Sequence, residues 1–192
     1  MRPRNIDMLR SKEKYKKEIV PAMMQKFGYK STMAIPKIEK VVVNAGFGGL
    51  ISGKTSEEQK KIYEIILNDL SLICGQRPIL ASAKKSISSF KTRKGMPVGA
   101  RVTLRGKLMY DFLDRIIHIA LPRSRDFRGI DQKSFDRKGN LSLAIKEQIA
   151  FPEILPEKAK INFGFGITIV QNAKTREEGI TLLKMFGFPI KH

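Results

Sequence analysis

The sequence contains a single cysteine, Cys74, only two histidines and no tryptophan. One thiol cannot close an internal disulfide, and Cys74 with His118 and His192 cannot supply the four ligands of a structural zinc site. A lone cysteine is typical of a protein from a reducing compartment. We therefore expect no metal site and no cofactor.

Long apolar runs are also absent. No segment approaches the roughly 18 uninterrupted apolar residues of a membrane helix, and the polar, charged N-terminus lacks the apolar centre of a secretory signal. Hydrophobic residues still make up 42% of the chain, enough for a folded core. We expect a soluble, cytoplasmic protein without a membrane partner, with an organellar location left open.

Acidic residues are scarce. Lys and Arg number 37 against 18 Asp and Glu, which gives a formal net charge of +19. From Leu70 to Tyr110 there is no acid, although this acid-free segment contains nine basic residues: Arg77, Lys84, Lys85, Lys91, Arg93, Lys94, Arg101, Arg105 and Lys107. A surface of one sign repels itself unless an anion compensates it. The pattern predicts a phosphate-backbone partner, and an ordinary basic surface is the alternative.

A second basic segment, Pro122 to Asn140, interleaves its cations with Asp126, Asp131 and Asp136. Mixed charge suits contact with a protein better than contact with RNA. Two aromatic residues, Phe127 and Phe135, predict a long ordered loop, and such loops are commonly functional. Partner binding and an ordinary surface loop both stay open.

The apolar periodicity predicts an α+β fold in which helices pack on a largely antiparallel sheet, with a protruding basic hairpin arm. The predicted helices are Ser11 to Phe27, kinked at Pro21, a second from Ser56 to the residue before Gly75, Lys107 to Leu121, and Thr175 to Phe186. The predicted strands are Ile38 to Asn44, Pro78 to Ala81, Val98 to Leu104, Leu141 to Ile145, and Ile161 to Val170. The arm is expected between the second and third strands.

Residues Gly48 to Thr55 match the phosphate-loop pattern G-x-x-x-x-G-K-[ST], between a predicted strand and a predicted helix. In such a loop Lys54 would hold phosphates and the Thr55 hydroxyl would hold Mg²⁺. No acidic residue ends a later predicted strand to complete a metal site. A phosphate-loop nucleotide-binding protein is therefore the alternative function, and a chance match among 15 glycines is favoured.

The residue types favour RNA binding. Asn44, Gln76 and Thr103 are short polar groups beside glycines or on a strand, suited to hydrogen bonds with ribose and base edges. Each one alone is equally typical of a turn. Phe90, inside the basic arm, could stack on a base or pin the arm, and the sequence does not choose between these roles.

Several long motifs together resemble the bacterial-type large-subunit ribosomal protein five family, which binds 5S ribosomal RNA. They are PKIEKVVVNAGFG, GQRPILASAKKSISSFKTRKGMPVGARVTLRG, LPRSRDFRGIDQKSFDRKGN, EQIAFPEI and GITIVQNAKTREEG, in that order along the chain. The likeness runs from about Lys14 to Lys191. It implies a non-enzymatic constituent of the large ribosomal subunit that helps to attach 5S rRNA in the central protuberance.

The resemblance also assigns contacts. The residues that match the family's 5S rRNA contacts are Asn44, Gln76, Arg77, Thr103 and Arg105. The arm from Ala83 to Gly95 matches a loop that reaches the transfer RNA in the peptidyl site, through Lys84, Lys85, Ser86, Lys91 and Arg93.

The second basic segment, Pro122 to Asn140, matches the side of the family that faces small-subunit head protein thirteen across an intersubunit bridge. The residues carried over there are Arg123, Arg125, Arg128, Lys133 and Arg137. Large-subunit rRNA and other central-protuberance proteins are further implied partners.

The chain departs from the family in two places. The segment from Gly49 to about Lys61 is longer than in a usual member, and the Gly-Lys-Thr part of the phosphate-loop match falls inside it. The first thirteen residues, Met1 to Glu13, are an extra basic extension. We therefore expect an extension over residues 1–13 and one α+β domain over residues 14–192.

Overall fold

The computed structural model describes residues 11–125 and 127–191. Most of the predicted extension, residues 1–10, lies outside the described residues, as do Asp126 and His192. Within the described part, a helix already begins at Ser11, whose backbone N–H and hydroxyl both donate to the Asp114 carboxylate.

Five strands form one sheet in the order β2-β3-β1-β5-β4, with every neighbouring pair antiparallel. The strands are β1 (Ile38–Gly46), β2 (Ile79–Ser82), β3 (Pro97–Leu104), β4 (Leu141–Ile145) and β5 (Phe165–Gln171). The predicted antiparallel α+β fold is confirmed. All five predicted strands are present, four of them within two residues of the expected ends.

The last predicted strand began too early, because residues 161–164 are not part of β5. The buried side chain of Gln148 forms hydrogen bonds with the backbone of two of these residues. Its amide nitrogen donates to the Ile161 carbonyl, and its amide oxygen accepts from the Phe163 N–H at 2.9 Å. A side chain therefore satisfies this segment where a neighbouring strand would otherwise do so.

Besides short 3-10 turns, five helices accompany the sheet in residues 11–125 and 127–191. They are α1 (residues 11–27), α2 (Gly48–Ile51), α3 (Ser56–Cys74), α4 (residues 106–123) and α5 (Arg176–Phe186). Helices α3 and α5 begin with matching capping boxes, in which Thr55 pairs with Glu58 and Thr175 with Glu178. These caps explain why the helix starts could be predicted from the sequence.

Helices α1 and α4 each continue past a proline, and in both a π-helical turn precedes the proline. Just before Pro21 the helix widens into a π-helical turn, Tyr15–Ile19, and before Pro122 into another, Ile116–Ala120. Proline has no N–H and its ring clashes with the carbonyl four residues earlier, and a π-turn shifts that carbonyl by one residue. Helix α1 therefore runs through Pro21.

The core lies on one face of the sheet. Along β1, Val41, Val43 and Ala45 are buried and alternate with outward residues. Helix α4 adds Phe112 and Ile116 to this core. The apolar spacing of α4 would also place Leu108 on the buried stripe, but Leu108 lies in the first turn, near Gly75, and is 42% exposed.

The basic arm is the connection between β2 and β3, residues 83–96. An inner turn joins Ile87 to Thr92, and the Ala83 N–H donates to the Met96 carbonyl at 2.8 Å where the connection leaves the strands. The predicted hairpin connection is thus present. Its protrusion from the body of the protein stays a prediction.

Candidate nucleic-acid interface

Within residues 11–125 and 127–191, no helix covers the second face of the sheet, which is called the open face here. Strand pairing puts Asn44 of β1 directly opposite Arg101 of β3, and Val42 opposite Thr103. Asn44 and Arg101 are exposed and Thr103 is half-buried. The open face comprises these exposed or half-buried outward residues: Lys40, Val42, Asn44, Gly46, Ile79, Ala81, Arg101, Thr103, Ser142, Ala144, Gly166, Thr168 and Val170.

The open face is positively charged. It includes Lys40 and Arg101, and the five strands contain a single acid, Glu39, which is exposed next to Lys40 at the register shift near the start of β1. Neither cation belongs to an ion pair with a carboxylate in residues 11–125 or 127–191. An anion lying on this face would therefore meet two cations together with the polar side chains of Asn44 and Thr103.

Three further predicted contacts lie at one end of the sheet. Helix α3 ends at Gly75, whose left-handed φ of 66° turns the chain toward the exposed Gln76 and Arg77 just before β2. A Cβ at Gly75 would lie 3.8 Å from a methyl carbon of Leu108, so this turn packs beside the start of α4. Arg105, exposed at the end of β3, is the N-cap of α4.

The arm presents its cations to solvent. Lys84, Lys85, Lys91 and Arg93 are exposed. Ser86 plays a structural part, because its hydroxyl accepts a hydrogen bond from the Lys94 N–H at 2.9 Å.

Phe90 also lies in the arm. Its ring is 67% exposed, and only its carbonyl is held, by the Ser52 hydroxyl at 3.3 Å. Phe90 also lines a hollow with Gly48, Gly49 and Val98, so both roles, stacking on a base and pinning the arm, stay predictions.

The mixed-charge loop, residues 122–140, is ordered by its own acids. The Asp131 carboxylate accepts the Lys133 N–H at 2.9 Å, and the Asp136 carboxylate accepts the N–H groups of Lys138 and Asn140 at 2.9 and 2.8 Å. Burial opposes ionisation of Asp136, but hydrogen bonds from Asn140 and Lys138 prevail and lower its pKa. Phe135 is buried, as expected of an ordered loop.

The five basic residues predicted to face the small subunit are exposed, and two of them line a cleft beside β4. Arg123 and Arg125 lie with Lys146 beside β4. Arg128, Lys133 and Arg137 follow in the part of the loop where Ile130 bridges to Ile190 near the C-terminus.

The remaining reactive side chains do not form a catalytic group. Cys74 is fully buried, and this burial raises the pKa of its thiol to about 12. His118 is exposed on α4. Among the described residues, no cluster of His, Cys, Asp and Glu could hold a metal ion, and no helix has the length and apolarity to cross a bilayer.

Comparison with known proteins agrees with the sequence motifs. Residues 31–93 match the family model for ribosomal protein L5, and residues 97–190 match the model for the C-terminus of the same ribosomal family. The chain is 52% identical over 182 residues to large ribosomal subunit protein uL5 of Alkaliphilus oremlandii, covering 95% of this chain and 98% of that protein. The chain belongs to the ribosomal protein L5 family.

A second relative supports the same assignment. The uL5 protein of Halothermothrix orenii is 50% identical over 177 residues, covering 92% of this chain and 96% of its own length. As a member of the L5 family, the protein is a structural, non-enzymatic constituent of the large ribosomal subunit. The predicted family and the prediction that the chain is not an enzyme are confirmed.

The L5 assignment gives no role in nucleotide binding to the phosphate-loop match. The local geometry of these residues explains why they do not form a phosphate loop. Residues Gly48–Ile51 form the short helix α2, whose surrounding amides are hydrogen-bonded internally: Leu50 and Ile51 to the Phe47 carbonyl, and Ser52 to the Gly48 carbonyl. The Thr55 hydroxyl donates to the Glu58 carboxylate at 2.9 Å. The backbone amides that would surround a phosphate and the hydroxyl that would hold Mg²⁺ are thus already engaged.

Sequence reasoning did not include Arg101 and Lys40 among the candidate 5S rRNA contacts on this face. Both belong to strands that were predicted, and both lie at outward positions of the alternation. The period-two pattern could have placed each on the polar face of its own strand. Only the pairing of β1 with β3 shows that Arg101 lies opposite Asn44.

Proposed function

We propose that the protein binds 5S rRNA on the open face of its sheet and helps to attach that RNA to the large subunit in the central protuberance. The observation that carries this proposal is the register of β1 and β3, which gathers Asn44, Arg101 and Thr103 on a face that no described helix covers. Gln76, Arg77 and Arg105 extend this surface at the end of the sheet. Cations supply attraction to phosphate, and the amide and hydroxyl groups supply hydrogen bonds to bases and riboses.

We propose further that the arm contacts transfer RNA in the peptidyl site. Lys84, Lys85, Lys91 and Arg93 are exposed on a connection that lies at the β2 edge of the sheet. Ser86 supports this contact by holding the turn through the Lys94 N–H. The exposed ring of Phe90 adds a stacking surface.

The mixed-charge loop is proposed to face small-subunit head protein thirteen across an intersubunit bridge. Arg128, Lys133 and Arg137 are exposed there on a loop held in shape by Asp131 and Asp136. The resemblance adds Arg123 and Arg125 to this set. Large-subunit rRNA and other proteins of the central protuberance complete the proposed surroundings.

Selective binding of 5S rRNA tests the main proposal. The purified full chain is titrated against 5S rRNA and against an unrelated RNA of equal length. Asn44→Ala and Thr103→Val should each lower the affinity for 5S rRNA by about five- to tenfold, the value of a neutral hydrogen bond of about 1 kcal/mol. The affinity for the unrelated RNA should change little.

Asn68→Ala is the matched control, because Asn68 is exposed on α3 away from the open face. It should bind both RNAs as the parent does. If Asn44→Ala and Asn68→Ala have the same affinity for 5S rRNA, the open face does not supply the selective contacts.

A further inference from the structure

A hollow of about 780 Å³ separates the basic arm from helix α2. Its walls come from α2, from the start of β3 and from the arm. The lining residues that matter here are Gly48, Gly49, Ser52, Ile87, Phe90 and Val98. The RNA contacts proposed above give no role to α2, so they do not explain this hollow.

The walls of the hollow are largely apolar, and two apolar side chains of the arm stay exposed beside it. Ile87 is 44% exposed and Phe90 is 67% exposed. On the α2 side, Gly48 and Gly49 carry no side chain, and a Cβ at Gly49 would have no neighbour within 4 Å. Apolar surface in contact with water is unfavourable, so the hydrophobic effect favours a movement that brings these walls together.

A hydrogen bond already joins the two sides of the hollow. The Ser52 hydroxyl donates to the Phe90 carbonyl at 3.3 Å. Ser52 is itself held at the end of α2, where its N–H donates to the Gly48 carbonyl at 3.1 Å. The bond holds the backbone of Phe90 near α2 and leaves its ring free to turn about the side-chain torsions, so the ring stays within reach of the hollow.

The tip of the arm is closed by its own backbone. The N–H groups of Ile87 and Thr92 each donate to the carbonyl of the other, at 3.1 and 3.2 Å, and the Lys91 N–H donates to the Ser88 carbonyl at 2.9 Å. Lys91 has a left-handed φ of 49°, the only such value outside glycine in residues 11–125 and 127–191. A residue with a side chain keeps this conformation only where its surroundings impose it. The tip therefore moves as one body.

The tip is joined to the sheet by a loosely bonded stretch. At the strand ends, Ala83 bonds the backbone of Gly95 and of Met96, at 2.9 and 2.8 Å. Between these residues and the tip, the one described hydrogen bond across the arm runs from the Lys94 N–H to the Ser86 hydroxyl. Gly95 has a φ of 86°, and hinges of moving loops are a few positions of this kind, often small residues. The tip therefore has a hinge about which it can swing toward α2.

We propose that α2 is a seat on which the arm closes, with the Phe90 ring in the hollow and Ser52 holding the turn. In the closed form the ring packs against Gly48, Gly49 and Val98. The lysines of the arm stay in water, because burial of an unpaired charge is unfavourable. This inference goes beyond the proposed RNA contacts and does not require them. A base that stacks on Phe90 would have to compete with the seat.

A single fluorophore tests the closure. The chain contains no tryptophan, so Phe90→Trp reports on the hollow alone in the full chain, without RNA. We expect blue-shifted emission and weak quenching by acrylamide. Asn68→Trp is the matched reference, because Asn68 is exposed on α3, and it should be strongly quenched. Equal quenching of the two variants overturns the proposal.

Filling the hollow should expel the ring. A Cβ at Gly48 would lie 3.6 Å from the Val98 Cβ, which is an ordinary contact, and Gly48 does not have a left-handed φ. Added to Phe90→Trp, Gly48→Leu should therefore shift the emission to the red and raise the quenching, whereas Asn68→Leu should change neither. Unchanged quenching with Gly48→Leu would show that the ring lies elsewhere and would overturn the seat.

The role of Ser52 is tested in the same background. Ser52→Ala should raise the quenching, because it removes the donor to the Phe90 carbonyl, and Ser52→Thr should restore the parental value, because it keeps the hydroxyl. Quenching that Ser52→Ala leaves unchanged would contradict the part given to this bond. Closure is apolar, so the difference between Phe90→Trp and Asn68→Trp should persist at high salt, where attraction between charges is screened.

Hydrogen exchange supplies a second measurement that needs no change at Phe90. In the chain with its native Phe90, the N–H groups of Lys91 and Thr92 should exchange faster after Gly48→Leu and at the parental rate after Asn68→Leu, since closure protects the tip. Thermal melting and 5S rRNA affinity verify that the variants fold. Equal exchange rates in Gly48→Leu and the parent would refute closure, whether or not the arm binds transfer RNA.

Discussion

Replacing Arg101 with glutamine tests the central electrostatic argument. Arg101 lies opposite Asn44 on the open face, and no described carboxylate pairs with it. Glutamine keeps a polar side chain at an exposed strand position, so the fold should be unaffected. The substitution removes one positive charge from the surface on which we place 5S rRNA.

The magnitude follows from the number of cations available. Lys40 and Arg101 lie on the open face, and Arg77 and Arg105 lie at its end. If each neutralises one phosphate, log K falls with log salt with a slope of about −3.6, which is about a 150-fold loss of affinity between about 50 and 200 mM salt. With Arg101→Gln the slope becomes about −2.7 and the loss over the same range about 40-fold.

The assay is a salt titration of 5S rRNA binding, followed by filter retention or fluorescence anisotropy. Arg137→Gln is the matched control, because it removes the same charge from the exposed part of the mixed-charge loop. The two variants should differ in slope by about 0.9. If their slopes are equal, the RNA responds to the total charge of the protein and the open face has no special part.

Two further predictions concern residues outside the interface. Lys54→Ala should leave 5S rRNA affinity unchanged, and neither parent nor variant should retain ATP or GTP in equilibrium dialysis; a loss of function in the variant that depends on nucleotide would contradict this. Burial raises the pKa of Asp69 above its ordinary value of 3.8, so ionisation opposes folding as the pH rises through the folded-state pKa. Asp69→Asn should therefore raise the free energy of unfolding by at most about 1 kcal/mol near pH 7, because Asp69 is only half-buried and solvent screens its charge. Near pH 3 the substitution should have no effect, and urea unfolding at the two pH values measures the difference. Equal effects at both pH values would show that the charge is not the cause.

The elements that could be predicted from the sequence carry local signals. Strand β1 alternates buried and outward residues with a period of two, and helices α3 and α5 begin with a threonine followed three residues later by glutamate. These signals act over a few residues, so they can be recognised without knowing the rest of the fold. The acid-free segment is another local signal, and the anionic partner that it predicts around β2 and β3 stays a prediction.

The features that could not be predicted depend on contacts between distant parts of the chain. The predicted start of β5 was wrong because Gln148 bonds the backbone at Ile161 and Phe163, and nothing near residue 161 signals that bond. The role of Arg101 required the register of two strands far apart in sequence. That Arg123 and Arg125 line a cleft together with Lys146 could be seen only once the position of Lys146 in the fold was known.

The surroundings of Asn44 indicate that this residue contributes to selectivity for 5S rRNA, whereas Arg101 contributes to affinity for any RNA. On the open face its neighbours include Gly46, two residues along β1, and Gly166, directly opposite on β5. Neither glycine carries a side chain, so the Asn44 amide stands clear on two sides, while Arg101 lies opposite on β3. The guanidinium attracts any phosphate backbone, whereas an accessible amide can form hydrogen bonds only with an RNA whose bases or riboses are shaped to reach it. Selectivity for 5S rRNA should therefore survive at salt concentrations that weaken the attraction from Arg101, because the Asn44 contacts do not depend on counterion release.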